Sequence, residues 1–163
     1  MFRNLRGVRT TALRAVAVTA ASSALLLVAQ SGTANAAWKN GPMFNEAKQQ
    51  CLDAGGYIST YPCNGSGAQW WHDKSPVGAN YYQLQTNSGY CLDPGVGSNN
   101  GEGPCNPGDY QQWTRGASKT INGQTYWVFV WSHDSRKCLD GGQTGNAVAN
   151  WCNGSAYQFW LWN

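Results

Sequence analysis

The sequence predicts an all-β domain made of three copies of one unit set about a shared axis. Three observations carry this: a landmark pattern that recurs three times, no sustained helical periodicity after the first 36 residues, and short β-favouring runs separated by Gly- and Asn-rich turns.

The recurring pattern organises the chain. The first copy runs Cys51-Leu52-Asp53, Cys63-Asn64, Gln69-Trp70-Trp71, and the second Cys91-Leu92-Asp93, Cys105-Asn106, Gln111-Gln112-Trp113. The third runs Cys138-Leu139-Asp140, Cys152-Asn153, Gln158-Phe159-Trp160. In every copy Asn follows the second cysteine, Gln comes six residues after that cysteine and Trp two after the Gln. The Cys-to-Cys separations are 12, 14 and 14, so loops vary inside a constant C-N-x4-Q-x-W frame. Copies of this size, at about 38–79, 80–125 and 126–163, cannot each bury a core, and they are expected to close around a common centre. Trp71, Trp113 and Trp160 then read as core, and Gln69, Gln111 and Gln158 as framework.

Between the landmarks, Tyr57–Tyr61, Tyr81–Gln85, Tyr126–Trp131 and Tyr157–Trp162 read as strands. Alternation puts Trp127, Phe129 and Trp131 on one face and Tyr126, Val128 and Val130 on the other. Asn122-Gly123 predicts a tight hairpin, which accounts for much of the greater length of the second copy. Asn64-Gly65-Ser66 and Asn153-Gly154-Ser155 match the glycosylation acceptor pattern but, as members of the repeat, read as turns.

The segment before the repeats has its own chemistry. Arg3, Arg6, Arg9 and Arg14 form a basic start, an apolar stretch follows through Leu25 to Ala29, and Ala34-Asn35-Ala36 closes it. This reads as a secretory signal peptide over residues 1–36, with the domain over 37–163 and secretion as the expected localisation. The leader holds four of the eleven Lys and Arg and none of the eight acids, leaving seven cations against eight acids in the remainder. The apparent basicity belongs to the leader, so the domain lacks the footprint that phosphate binding needs, and neither nucleic acid nor membrane insertion is expected. Nine Trp, eight Tyr and four Phe exclude a disordered chain.

All six cysteines follow the leader, and an even count in an exported chain predicts disulfides. The simplest set compatible with the repeat is one bridge per copy: Cys51 to Cys63, Cys91 to Cys105 and Cys138 to Cys152.

With C-L-D, C-N and Q-x-W in three ordered copies, the chain resembles the ricin B-type β-trefoil lectins, and its short Cys-to-Cys loops are similar to those of the actinohivin type. The resemblance covers about Trp38 to Asn163. It implies a β-trefoil with pseudo-threefold symmetry, a six-stranded barrel capped by three hairpins, and up to three shallow sugar sites. It further implies that Asp53, Asp93 and Asp140 anchor the sugar, that an aromatic before the second cysteine stacks on it, and that Asn64, Asn106 and Asn153 contact a hydroxyl. The Gln-aromatic stretch usual in the family before the second cysteine is replaced here by Ser59-Thr60-Tyr61-Pro62 and Val148-Ala149-Asn150-Trp151.

The residue types fit the chemistry independently. A pyranose presents hydroxyl donors and an apolar C–H face, so its binder needs a carboxylate, an amide and a ring. The first copy offers Tyr57 and Tyr61, and the third Trp151. The second has no aromatic between Asp93 and Cys105, which predicts a weak or absent site at Asp93 and Asn106. The expected binding residues are therefore Asp53, Tyr61, Asn64, Asp140, Trp151 and Asn153, with glycans or polysaccharides as partners and no cofactor or metal. Replacing Asp53 and Asp140 by Asn is expected to abolish binding without altering the fold. The competing reading of each Asp is a turn residue that binds local backbone amides.

Enzymatic readings have less support. Ser132-His133-Asp134 has relay residue types, but neighbours along a strand point to opposite faces. His72 and His133 are the only histidines and carry no metal-ligand spacing. The chain is read as a non-enzyme, with a separate secreted enzyme as an expected partner. The main rival is a secreted β-trefoil that recognises proteins, such as a protease inhibitor, inserting the Thr114–Gln124 segment into its target.

Overall fold

The structure is a computed structural model that describes residues 40–76, 78–94, 101–142 and 147–162, all within the unit Thr33–Asn163. The expected leader at 1–36 and residues 95–100 of the second copy's loop lie outside them.

Thirteen strands are formed among the described residues. The first copy contributes β1 (Asn40–Gly41), β2 (Phe44–Asn45), β3 (Gln50–Asp53), β4 (Ser59–Tyr61) and β5 (Trp71–Asp73). The second contributes β6 (Leu84–Thr86), β7 (Tyr90–Leu92), β8 (Glu102–Pro104) and β9 (Trp113–Ile121). The third contributes β10 (Gln124–Trp131), β11 (Lys137–Asp140), β12 (Val148–Trp151) and β13 (Phe159–Leu161).

Pairing converts this list into a closed ring. Antiparallel ladders β5–β6, β9–β10 and β13–β2 join successive copies. Within copies, β10 pairs β13 and β1 pairs β5, while the second copy closes through Tyr82 and Trp113, which exchange backbone bonds of 2.6 and 2.8 Å. The hairpins β3–β4, β7–β8 and β11–β12 leave this ring once per copy. This is the expected all-β, pseudo-threefold β-trefoil, and closure removes the exposed sheet edges that a flat arrangement would leave.

The core sits where the landmarks converge. Trp71, Trp113 and Trp160 are fully buried with Leu52, Leu92 and Leu139, the middle residues of the three C-L-D triplets. Alternation along β10 is as expected: Trp127, Phe129 and Trp131 join this central cluster, whereas Tyr126, Val128 and Val130 join a second one with Phe159 and Leu161. Asn122 and Gly123 both take positive φ, 50° and 77°, as a two-residue hairpin turn requires. The three bridges Cys51–Cys63, Cys91–Cys105 and Cys138–Cys152 form as expected.

Four expectations are corrected. Of Tyr57–Tyr61 only Ser59–Tyr61 is strand, with Tyr57 and Ile58 in the bend before it. Tyr157 and Gln158 are not strand but part of a 3-10 turn, Ala156–Gln158, matched by Gly67–Gln69 and Asp109–Gln111 in the other copies. The turn swings each Gln side chain inward before the chain resumes as strand. Tyr81–Gln85 is likewise mostly irregular, because β6 begins at Leu84 and Tyr82 contributes only a bridge. Thr114–Gln124 is not an insertable loop: nearly all of it is β9, held in register against β10.

Candidate functional site

The 3-10 turn of each copy delivers its Gln to the Asp of the same copy. Gln69 Nε2 donates to Asp53 Oδ2 at 2.9 Å, Gln111 Nε2 to Asp93 Oδ2 at 3.0 Å and Gln158 Nε2 to Asp140 Oδ2 at 3.0 Å. The same amides donate to the carbonyls of Pro62, Pro104 and Trp151, and each Gln Oε1 accepts the backbone N–H of Asn64, Asn106 or Asn153 at 2.8 Å. One buried amide thus locks the C-L-D triplet, the strand before the second cysteine and the C-N turn. The framework role expected for the three glutamines is realised in full, since each buried polar atom has a partner.

The aspartates carry a structural load as well. Asp53 Oδ1 accepts from Gly55 N at 2.7 Å and Asp140 Oδ1 from Gly142 N at 2.8 Å, so both oxygens of each already hold one bond. Asp53 and Asp140 are buried, and Asp93 is half-buried. A carboxylate has about four acceptor positions, which leaves lone pairs for a hydroxyl.

Asn64, Asn106 and Asn153 are exposed, and their side-chain oxygens close local turns by accepting from Ser66, Gly108 and Ser155 N at 2.8 Å. This places both acceptor-pattern tripeptides in turns, as expected.

Ladder register decides which aromatic belongs with which carboxylate. Cys51 lies opposite Tyr61, Cys91 opposite Gly103 and Cys138 opposite Asn150. In the first copy Asp53 faces Ser59, so Tyr61, two residues on and 57% exposed, shares the face of Asp53. Trp151 pairs with Lys137, one rung away, and therefore lies on the face of β11–β12 opposite to Asp140. The expectation that Trp151 and Asp140 form one site is corrected. A match by distance to the second cysteine, rather than by nearness, would have shown that Asn150 is the counterpart of Tyr61. Exposed aromatics concentrate in the first copy, where Tyr57, Tyr61 and Trp70 all reach solvent. Trp70, the middle residue of its Q-x-W, was not singled out from sequence; its alternation with buried Trp71 is the signal.

Ser132, His133 and Asp134 do not form a relay. They follow β10 in a bend, where His133 Nδ1 pairs with Asp109 Oδ2 at 3.2 Å and Asp134 binds the Arg136 guanidinium, which holds its carboxyl below the usual range.

The residues 39–160 match the family model for the ricin-type β-trefoil lectin domain. No curated protein matches the chain by sequence. Among solved structures it is similar to the designed three-fold symmetric protein ThreeFoil, at TM-score 0.62 and 23% identity over 76% of this chain and 96% of that one. It is similar to the hemolytic lectin CEL-III at TM-score 0.61 and 24% identity, covering 77% of this chain and 32% of that one. SeviL, solved with asialo-GM1 saccharide, aligns at TM-score 0.61 and 14% identity over 77% of this chain and 97% of its own. The match runs through all three copies and the trefoil ring, and the chain belongs to the ricin-type β-trefoil lectin family, whose domain is a carbohydrate-binding module and not a catalytic one.

Proposed function

We propose that the protein is a secreted lectin that binds cell-surface or polysaccharide glycans, with its principal site in the first copy. The observation that carries this is the pairing, on one hairpin face, of the Gln-oriented carboxylate of Asp53 with the exposed ring of Tyr61. Asp53 accepts a sugar hydroxyl on its free lone pairs, Tyr61 covers the C–H face, and Asn64, its oxygen engaged in the turn, offers its Nδ2. Asp140 with Asn153 forms a second site without a ring on its face, and Asp93 with Asn106 a third and weaker one.

A shallow site of this kind reaches the millimolar to micromolar range, about −4 to −8 kcal/mol. Several sites on one body raise avidity for repeated glycans. Any accompanying reaction would be supplied by a separate secreted enzyme.

Because both oxygens of Asp53 receive N–H donors, Asp53→Asn would set donor against donor, and the expectation that such a change leaves the fold unaltered is withdrawn. The cleaner test is Tyr61→Ala on the domain of residues 37–163, assayed on a glycan and polysaccharide array. Loss of at least tenfold in binding with unchanged thermal unfolding supports the reading; undiminished binding overturns the site.

A further inference from the structure

A second, chemically different surface lies between the second and third copies. Tyr110, Trp131, His133, Arg136 and Lys137 line an open groove of about 470 Å³. Tyr110 and His133 stack at 3.8 Å between centroids, and the Trp131 ring, 5.0 Å from His133, is buried beneath and pinned by its Nε1 donating to the Tyr110 carbonyl at 2.8 Å. The floor is therefore a fixed aromatic surface.

The polar groups around it are sorted by charge. Asp134 accepts from Arg136 Nε at 2.9 Å and Nη2 at 3.1 Å, so that carboxylate is neutralised in place. Asp109 takes His133 Nδ1, which leaves Nε2 without a partner among the described residues. Lys137 Nζ stands 5.8 Å from the Trp131 ring centre and forms no ion pair among the described residues. Arg136 stacks on Trp151 at 5.0 Å, which extends the aromatic surface outward past Lys137. The groove thus presents an ammonium that has no direct ion pair among the described residues but lies within electrostatic reach of Asp134, a half-satisfied imidazole and ring faces.

We infer that this groove binds an anionic saccharide, a pyranose bearing a carboxylate or a sulfate, with the anion on Lys137, a sugar hydroxyl donating to His133 Nε2 and the sugar's C–H groups on the aromatic wall. The inference rests on the lectin reading but uses none of the residues of the Asp53 site. It also gives Trp151 a role that Asp140 cannot share with it.

The test uses three oligosaccharide probes at low salt, where surface charge is least screened: a galacturonic acid tetramer, a sulfated galactose tetramer and the neutral galactose tetramer. The chain has two histidines, so proton NMR follows His133 with His72 as an internal reference. At least one anionic tetramer is expected to bind tenfold or more tightly than the neutral one and to move the His133 signals but not those of His72. Which of the two does so separates carboxylate from sulfate recognition. Lys137→Met should remove the excess and Lys137→Arg should retain it. An anionic preference that survives Lys137→Met overturns the inference. Failure of both anionic tetramers while other glycans still bind on the array overturns the groove alone, and failure of every glycan overturns the lectin reading with it.

Discussion

Trp160 donates its indole N–H to the carbonyl of Leu139 at 2.9 Å, tying the Q-x-W landmark to the C-L-D landmark of its own copy. Trp71 makes the same bond to Leu52, but the buried Nε1 of Trp113 has no partner among the described residues. Trp71→Phe and Trp160→Phe each strip a buried carbonyl of its donor, whereas Trp113→Phe removes a group that was already unpaired. The first two should cost about 1 kcal/mol more than the third. Equilibrium denaturant unfolding of the three variants measures this, and equal losses would refute it.

Replacing Gln158 by Leu deprives Asp140, the Trp151 carbonyl and the Asn153 amide of a partner at once. A loss of at least about 2 kcal/mol is expected. Gln112, part-exposed and with Pro107 O as its side chain's one bonded partner among the described residues, is the control, and Gln112→Leu should change stability by less than about 0.5 kcal/mol. Thermal melts of the pair would decide it.

Each disulfide closes a short loop, with sequence separations of 12 to 14 residues. In the chain-entropy model one such bridge contributes about 3 kcal/mol. Cys91→Ala with Cys105→Ala should therefore leave a folded but weakened domain. Reduction of all three removes about 9 kcal/mol, comparable with the whole stability of an ordinary domain of about 5 to 15 kcal/mol. Circular dichroism with and without reductant should show unfolding well below the melting temperature of the oxidised protein.

Glu102 occupies the rung opposite Leu92, where the other copies place Thr60 and Ala149 on the inward side. Burial raises its carboxyl above the ordinary 4.5. The folded state then holds this proton more tightly than the unfolded state, so Glu102 makes stability fall as pH rises from about that ordinary value through the raised one. Glu102→Gln should be the more stable protein at neutral pH, with the difference vanishing below pH 4. A pH series of melting temperatures tests the sign.

The ring, the bridges and the Trp core were legible because each rests on a residue type that recurs at one spacing. What escaped was whatever depends on the exact rung. Trp151 sits next to its cysteine and Tyr61 two residues before, and that single step reverses the face in a strand. The 3-10 turns were hidden inside aromatic runs such as Tyr157-Gln158-Phe159-Trp160, whose β-favouring composition matches strand. The groove between copies unites Tyr110 with His133 and Lys137, residues of two different copies, and no period within one copy points to such a meeting.

The three joints of the ring are geometrically alike but chemically unlike. Chain continuity connects β5 to β6 and β9 to β10, while β13 and β2 meet only through space, with Asn45 Nδ2 reaching the Tyr157 carbonyl at 2.8 Å and Trp162 Nε1 the Gly41 carbonyl at 3.2 Å. Where the backbone is opened is then arbitrary with respect to the architecture. A circular permutant that links residue 162 to residue 40 and starts at Gly123 should assemble the same ring. It would also make the β13–β2 seam local but turn the longer β9–β10 ladder, joined in the parent by the Asn122-Gly123 turn, into the seam that spans the chain, and by raising mean contact separation it should fold more slowly than the parent.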